Sequence, residues 1–108
     1  IHKGHDGFAP TGPYFVPARF IPDPQDLPVK LTVNGVVKQD STTGQMIYGV
    51  AEIIAHLTTV MTLHPGDIIA TGTPAGVGHG RTPPEYLKPG DEVRMEIGPL
   101  GTLVTPVT

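Results

Sequence analysis

Proline and glycine punctuate this chain from end to end and restrict it to short elements joined by many turns. With 14 glycines and 13 prolines in 108 residues, the composition raises the question of disorder. The prolines answer it, because they stand at turn positions between apolar segments and do not cluster in low-complexity runs. A chain of this length forms at most one small domain with a single modest core. The punctuation is densest over residues 1–28, which hold Gly4, Gly7, Pro10, Gly12, Pro13, Pro17, Pro22, Pro24 and Pro28. Residues before proline are pushed towards extended geometry. This part therefore reads as a folded-over loop with edge-strand character, with a short extended piece at Tyr14-Phe-Val16 and a turn cluster at Ile21-Pro-Asp-Pro-Gln-Asp26.

Regular structure begins after this loop. Val29-Lys-Leu-Thr-Val33 alternates apolar and polar residues, Asn34-Gly35 comes at once, and Val36-Val-Lys-Gln39 resumes. Asn-Gly between two strand-like runs predicts a hairpin, since both turn residues must adopt positive φ. Ser41-Thr-Thr-Gly44 breaks the pattern and opens one amphipathic helix over about 48–61. Its stripe is Val50, Ile53, Ile54, Leu57, Val60 and Met61, with Glu52 in the first turn, where the helix dipole favours a negative charge. The stripe predicts a helix that covers a sheet. Leu63-His-Pro-Gly-Asp67 and Leu87-Lys-Pro-Gly-Asp91 are one turn type used twice, each expected to lead into a strand. Proline fixes φ at the second position of a type II turn and glycine accepts the positive φ at the third. Asp67 and Asp91 are accordingly expected to accept backbone donors and not to act in catalysis. Asp91-Glu-Val-Arg-Met-Glu-Ile97 alternates strictly, with Val93, Met95 and Ile97 inward. Gly98-Pro-Leu-Gly101 turns it back into Thr102–Val107, where Pro106 confines the last strand to an edge or an end. Hairpins, short strands and one helix define a mainly β, α+β domain with antiparallel sheet.

One stretch has the makings of a site. The apolar run Ile68 to Ala70, read as a strand, enters the elbow Thr71-Gly72-Thr73 and then a loop with Gly76 and Gly78. Glycines there let a backbone approach a ligand, and two hydroxyls with several N–H groups make a donor nest for a carboxylate or a phosphate. The plainer alternative is a loop between strands whose hydroxyls are satisfied internally. Gly76 to Pro84 forms a polar loop holding His79 and Arg81. Lys3 lies in a segment rich in glycine and proline, where a lysine polarises a carbonyl or holds an anion; an exposed terminal lysine is the alternative.

Other chemistry is poorly represented. The five histidines, His2, His5, His56, His64 and His79, form no helical ligand pair, and only His2, His5 and Asp6 offer a thin set of metal donors. Ser41 is the only serine and lies at the exit of the hairpin, a poor place for a triad nucleophile. Walker, dinucleotide and Gly-x-Ser-x-Gly patterns do not occur. The net charge of −3 with no basic patch argues against nucleic acid or an anionic membrane as partner. Zero cysteines rule out a disulfide framework and agree with a cytoplasmic location.

Several of these segments together carry a resemblance. Lys3-Gly-His-Asp-Gly-Phe-Ala-Pro-Thr-Gly-Pro13 resembles the Lys-Ser-x-Asp-x-Phe-x-Pro-x-Gly-Pro segment of the fumarylacetoacetate hydrolase family, and Ile21–Leu27 resembles the segment that comes after it. Val33-Asn-Gly35, Gln39-Asp40 and Met46-Ile47 stand where that family has its hairpin and the lead into a helix. The most telling match is Leu63-x-Pro-Gly-Asp-Ile-Ile-x-Thr-Gly-Thr-Pro-x-Gly-Val-Gly78. Pro83-Pro84, Tyr86–Asp91 and Leu100-Gly101 continue it, so the likeness runs along essentially the whole chain.

The resemblance implies the C-terminal portion, residues 1–108, of a catalytic domain with a rolled β-sandwich or barrel. It implies a cytoplasmic, catabolic enzyme, commonly a homodimer, that uses Mg2+ or Mn2+ on small 2-oxo acids. The reaction expected first is hydrolysis of a carbon–carbon bond in 2,4-dioxo acids of the acylpyruvate or fumarylacetoacetate kind. Isomerase, hydratase, decarboxylase or lyase action on related acids is the alternative, as is a non-catalytic module that binds carboxylates or dimerises. By position, Lys3 matches the family's catalytic lysine, while Thr73 with the N–H of Gly72 matches the group that binds the substrate carboxylate. Gly4 and His5 depart from the family's serine and aromatic residue. The family's metal ligands, a Glu-x-Glu pair and an aspartate, and its general base lie before the lysine. This chain contains no Glu-x-Glu, so its own metal ligands are expected to be none, and the metal is expected to be held by upstream residues.

Overall fold

The structure, a computed structural model, describes residues 5–108. Its regular part is a four-stranded antiparallel sheet in the order β2-β1-β3-β4, built from β1 (Pro28–Val33), β2 (Val36–Thr42), β3 (Glu92–Ile97) and β4 (Thr102–Pro106), with one helix, α1 (Val50–Leu57). The α+β class and the antiparallel sheet are as expected. The share of a rolled sandwich that the described residues supply is this one open sheet.

Alternation decides which face of the sheet is apolar. Val29 pairs with Ile97, Leu31 with Met95, Val33 with Val93, and Met95 in turn with Leu103, so these seven side chains share one face. The opposite face carries Lys30 opposite Glu96 and Thr32 opposite Arg94, with Arg94 bonded to Glu96 at 3.0 Å. Among the described residues the buried set is small: the apolar Leu27 and Val29 and the polar Gln39.

The hairpin forms as predicted. Asn34 and Gly35 have φ of 51° and 79°, the pair of left-handed residues that a two-residue loop needs to follow the twist of its strands. β2 departs from simple pairing. Leu31 faces Gln39 but Thr32 faces Val37, so Lys38 is an extra residue, a β-bulge. The bulge keeps Gln39 on the apolar face and takes the Lys38 carbonyl out of the regular ladder. β2 also runs past Gln39 to Thr42, and a 3-10 turn comes next at Thr43–Gln45.

Both Pro-Gly turns form, with Gly66 at φ 98° and Gly90 at φ 94°. In each, the aspartate accepts a backbone donor as expected: His64 N–H at 2.7 Å for Asp67 and Lys88 N–H at 2.8 Å for Asp91. The segments beyond the two turns differ. β3 leaves the second turn, whereas Ile68 to Ala70 after the first forms no strand, because no described strand lies alongside to complete a ladder. The last strand ends with Pro106 paired to Glu92 on the outer side of the sheet, where its missing N–H costs nothing.

The helix is shorter than its periodicity implies. It ends at Leu57, and the chain continues in turns through Val60. Thr58 and Thr59 turn their hydroxyls back onto the carbonyls of Ala55 and His56, at 3.0 and 2.7 Å, and Val60 N–H bonds Leu57 O three residues back. Side chains that compete for backbone acceptors weaken a helix interior. The stripe therefore loses Val60 and Met61, and no residue of α1 is buried; the expected cover over the sheet is not made by this helix. Its start is well anchored. Glu52 accepts from Gly49 N–H at 2.9 Å, and Gln25 accepts from Val50 N–H at 2.8 Å while donating to Thr43 O at 3.3 Å.

Across the hairpin tip, Asn34 donates to Asp91 at 2.8 Å and accepts from Glu92 N–H at 2.9 Å. The Asn34 amide first, then the Lys88 N–H, hold the Asp91 carboxyl below its ordinary value. A carboxyl with a depressed folded pKa stabilises the fold above its unfolded pKa and loses that effect as pH falls through the folded value. Asn34→Gly keeps the positive φ of the turn and deletes the amide. Its melting temperature should fall below that of the parent near neutral pH, with the gap narrowing on acidification below about pH 4. A gap that does not change with pH would contradict the link.

Candidate functional site

Over the apolar face of the sheet the loop of residues 73–88 arches and encloses an open groove of about 740 Å3. Leu31, Val33, Val93 and Met95 form its floor, and Thr73, Lys38, Arg81 and Glu85 are polar groups in its wall. A mainly apolar concavity of this size with a few convergent polar groups is the usual form of a small-molecule site.

The loop is held down by the bulge. Arg81 Nη2 donates to the displaced Lys38 carbonyl at 2.9 Å and Arg81 Nε to Gly76 O at 3.3 Å. Gly76 itself has φ 107°, and a Cβ there would collide with the Lys38 carbonyl oxygen. Only glycine allows this approach. Glu85 joins the cluster by bonding Lys38 Nζ, with Arg81 Nε 3.7 Å away. The Lys38 bond is the first cause that holds the Glu85 carboxyl below its ordinary value, and Arg81 adds to it. At the far end His79 Nδ1 and the Tyr86 hydroxyl are 3.0 Å apart.

Thr73 stands exposed at the wall, directly after Gly72, whose φ is 108°. Gln39 reaches it from β2: Nε2 donates to Thr73 Oγ1 at 2.9 Å and to Pro74 O at 2.8 Å. The hydroxyl is thus neither free of the protein nor used up by it. Of the expected elbow Thr71-Gly72-Thr73, Thr73 is the residue that meets the groove.

Lys3, the expected catalytic lysine, lies outside the described residues, as does His2. His5 is exposed and tilts against Phe8 with ring centres 5.1 Å apart, and Asp6 is exposed beside it. Among the described residues no group of three or more histidine, aspartate or glutamate side chains is placed to hold a metal ion. A divalent cation therefore does not fit on these residues alone. Two contributors are not evident from sequence patterning, which marks Gln39 only as the end of a strand and Arg81 only as a loop residue. The available signs are the Gln39-Asp40 match to the family and the run Val36-Val-Lys-Gln39, whose broken alternation is compatible with a bulge.

The fold and groove define an α+β module with an open, mostly apolar pocket. The family model for the C-terminal domain of fumarylacetoacetate (FAA) hydrolase matches residues 1–108, and the chain belongs to that family. A curated relative, an uncharacterised protein of Staphylococcus saprophyticus, is 48% identical over 103 residues, which are 95% of this chain and 34% of that protein. The chain thus spans about a third of the length of the curated relatives it matches. Among solved structures, the fumarylacetoacetate hydrolase of Exiguobacterium antarcticum is similar at 44% identity and TM-score 0.92, over 96% of this chain and 37% of that one. The maleylpyruvate hydrolase of Sphingobium sp. SYK-6, in complex with manganese(II) and pyruvate, is similar at 38% and 0.87, over 96% and 37%. The 2-hydroxyhepta-2,4-diene-1,7-dioate isomerase of Mycobacterium marinum is similar at 46% and 0.85, over 98% and 38%.

Gly76→Ala adds a methyl where φ is 107° and the Lys38 carbonyl blocks it. It should destabilise the protein by about 1–3 kcal/mol in denaturant titration. Arg81→Met should also destabilise, by leaving the Lys38 carbonyl without its donor. The two losses should be less than additive, since both release the same loop.

Proposed function

We propose that this chain forms the carboxylate-binding side of a metal-dependent enzyme that hydrolyses a carbon–carbon bond of 2,4-dioxo acids of the acylpyruvate kind. The observation that carries the reading is the Thr73 hydroxyl, held at the wall of an apolar groove in a chain of the fumarylacetoacetate hydrolase family. In this reaction water adds to the C4 carbonyl and the C3–C4 bond breaks. C4 leaves as a carboxylic acid, and the bonding electrons pass to C3 as a pyruvate enolate, which takes up a proton to give pyruvate. The Thr73 hydroxyl and the Gly72 N–H bind the C1 carboxylate. Lys3 holds the negative charge that grows on the enolate oxygen. The apolar floor of Leu31, Val33, Val93 and Met95 accommodates the acyl end. The reading includes Mg2+ or Mn2+, in line with the manganese(II) complex of the Sphingobium hydrolase. The described residues offer no ligand set, and in this reading, as the resemblance to the family implies, the carboxylates that hold the ion come from residues upstream of Lys3.

The second reading is an isomerase, hydratase, decarboxylase or lyase acting on a related 2-oxo acid. It is favoured by the Mycobacterium marinum isomerase, whose 46% identity exceeds that of either hydrolase named above. Product analysis separates the two. The full-length protein with Mn2+ should release pyruvate and acetate in equal amounts from acetylpyruvate; turnover of a dienoic oxo acid without any pyruvate would favour the isomerase. In the hydrolase, Thr73→Val should raise KM about tenfold with kcat little changed. Lys3→Ala should lower kcat by about a hundredfold or more, and an unchanged kcat would remove Lys3 from the chemistry.

A further inference from the structure

Gln39 is the one polar side chain buried among the described residues, 5% exposed, and both hydrogens of its amide nitrogen are committed to the loop that carries Thr73. A buried amide needs partners, and here the partners fix its direction. Pro74 O at 2.8 Å can only accept, so the nitrogen, not the oxygen, faces the loop. The same nitrogen donates to Thr73 Oγ1 at 2.9 Å. A threonine hydroxyl has one hydrogen and two lone pairs. With one lone pair taken by a donor, its hydrogen cannot turn towards Gln39 and stays available to an acceptor on the open side of the groove.

We propose that Gln39 is a positioning residue that sets the polarity of the Thr73 hydroxyl, making it a donor towards the substrate and so selecting an anionic oxygen at that point. The proposal rests on the reading that Thr73 binds the substrate carboxylate. The β-bulge is part of the device. The extra residue at Lys38 restores Gln39 to the apolar face of the sheet opposite Leu31, below Thr73, and Arg81 secures the carbonyl that the bulge displaces.

The test measures pyruvate binding by calorimetry, with Mn2+ present, in the full-length protein and in Gln39→Met, Thr73→Val and the double variant. Each single substitution should weaken pyruvate about tenfold, and the double should lose clearly less than the product of the two, because the Gln39 effect passes mainly through that hydroxyl, with its bond to Pro74 O holding the same loop. Losses that multiply in the double variant would mean that Gln39 acts through packing and would overturn the proposal. So would normal binding by Gln39→Met beside weakened binding by Thr73→Val. Unchanged binding by Thr73→Val would overturn the carboxylate reading itself, and this proposal with it. Should Gln39→Met fail to fold, Gln39→Glu keeps the size and a polar end. The acid carries at most one proton, and Pro74 O, which can only accept, claims it; Thr73 Oγ1 then loses its donor, so pyruvate binding should fall about as far as in Thr73→Val, and parent-like binding would again overturn the proposal.

Discussion

The groove depends on one displaced carbonyl. A regular β2 would bond the Lys38 C=O within the sheet ladder and send Gln39 to the polar face. The extra residue at the bulge does neither. A backbone acceptor left without a donor away from water costs about 1–3 kcal/mol, so something must come to it. Arg81 does, from 43 residues further along the chain, and it brings with it the loop that forms the wall of the groove. Gly76 is the matching concession on the loop side, since no other residue fits against that carbonyl. Sheet, loop and groove are therefore one arrangement built around a single irregularity of pairing.

The two Leu-x-Pro-Gly-Asp turns show how the same local pattern serves different ends. Each closes on its own aspartate in the same way. The second is also tied to the hairpin tip through Asn34 and Asp91, which brings β3 alongside β1 and lets it pair. Among the described residues the first has no such tie, and the segment after it remains unpaired. That freedom leaves the Thr71-Gly72-Thr73 elbow outside the sheet and its donors open towards solvent and groove.

Local chemistry determines the part of the fold that is legible in the sequence. The Asn-Gly hairpin, both Pro-Gly turns, the alternating β3 and the placement of Pro106 all derive from φ preferences and side-chain periodicity over a few residues. Expectation and structure part where the deciding partner is close but of another kind, or is distant. The helix stops at Leu57 because two threonine hydroxyls compete for its carbonyls, a detail that apolar periodicity does not register. Ile68 to Ala70 has the composition of a strand and no partner to pair with. For the site, family motifs point to Thr73 and Gly72, and the structure sets Thr73 on a groove wall. Gln39 and Arg81 are invisible to local patterning because their roles depend on contacts 34 and 43 residues away. Lys3 lies outside the described residues, so its place relative to the groove stays a matter of motif alone.

The ends of the strand order carry a consequence for self-association. An open sheet invites a stray strand to add to either side. Along β2 the approach is obstructed where the Gly76–Arg81 loop lies against the Lys38 carbonyl and occupies it. Along β4 the run is only five residues, Thr102–Pro106, and closes on a residue without an N–H. Among the described residues, the loop that forms the groove and the proline near the end of β4 thus each obstruct the addition of a strand at one edge of this sheet, although Val107 still bonds Asp91 and Gly90 beyond the proline.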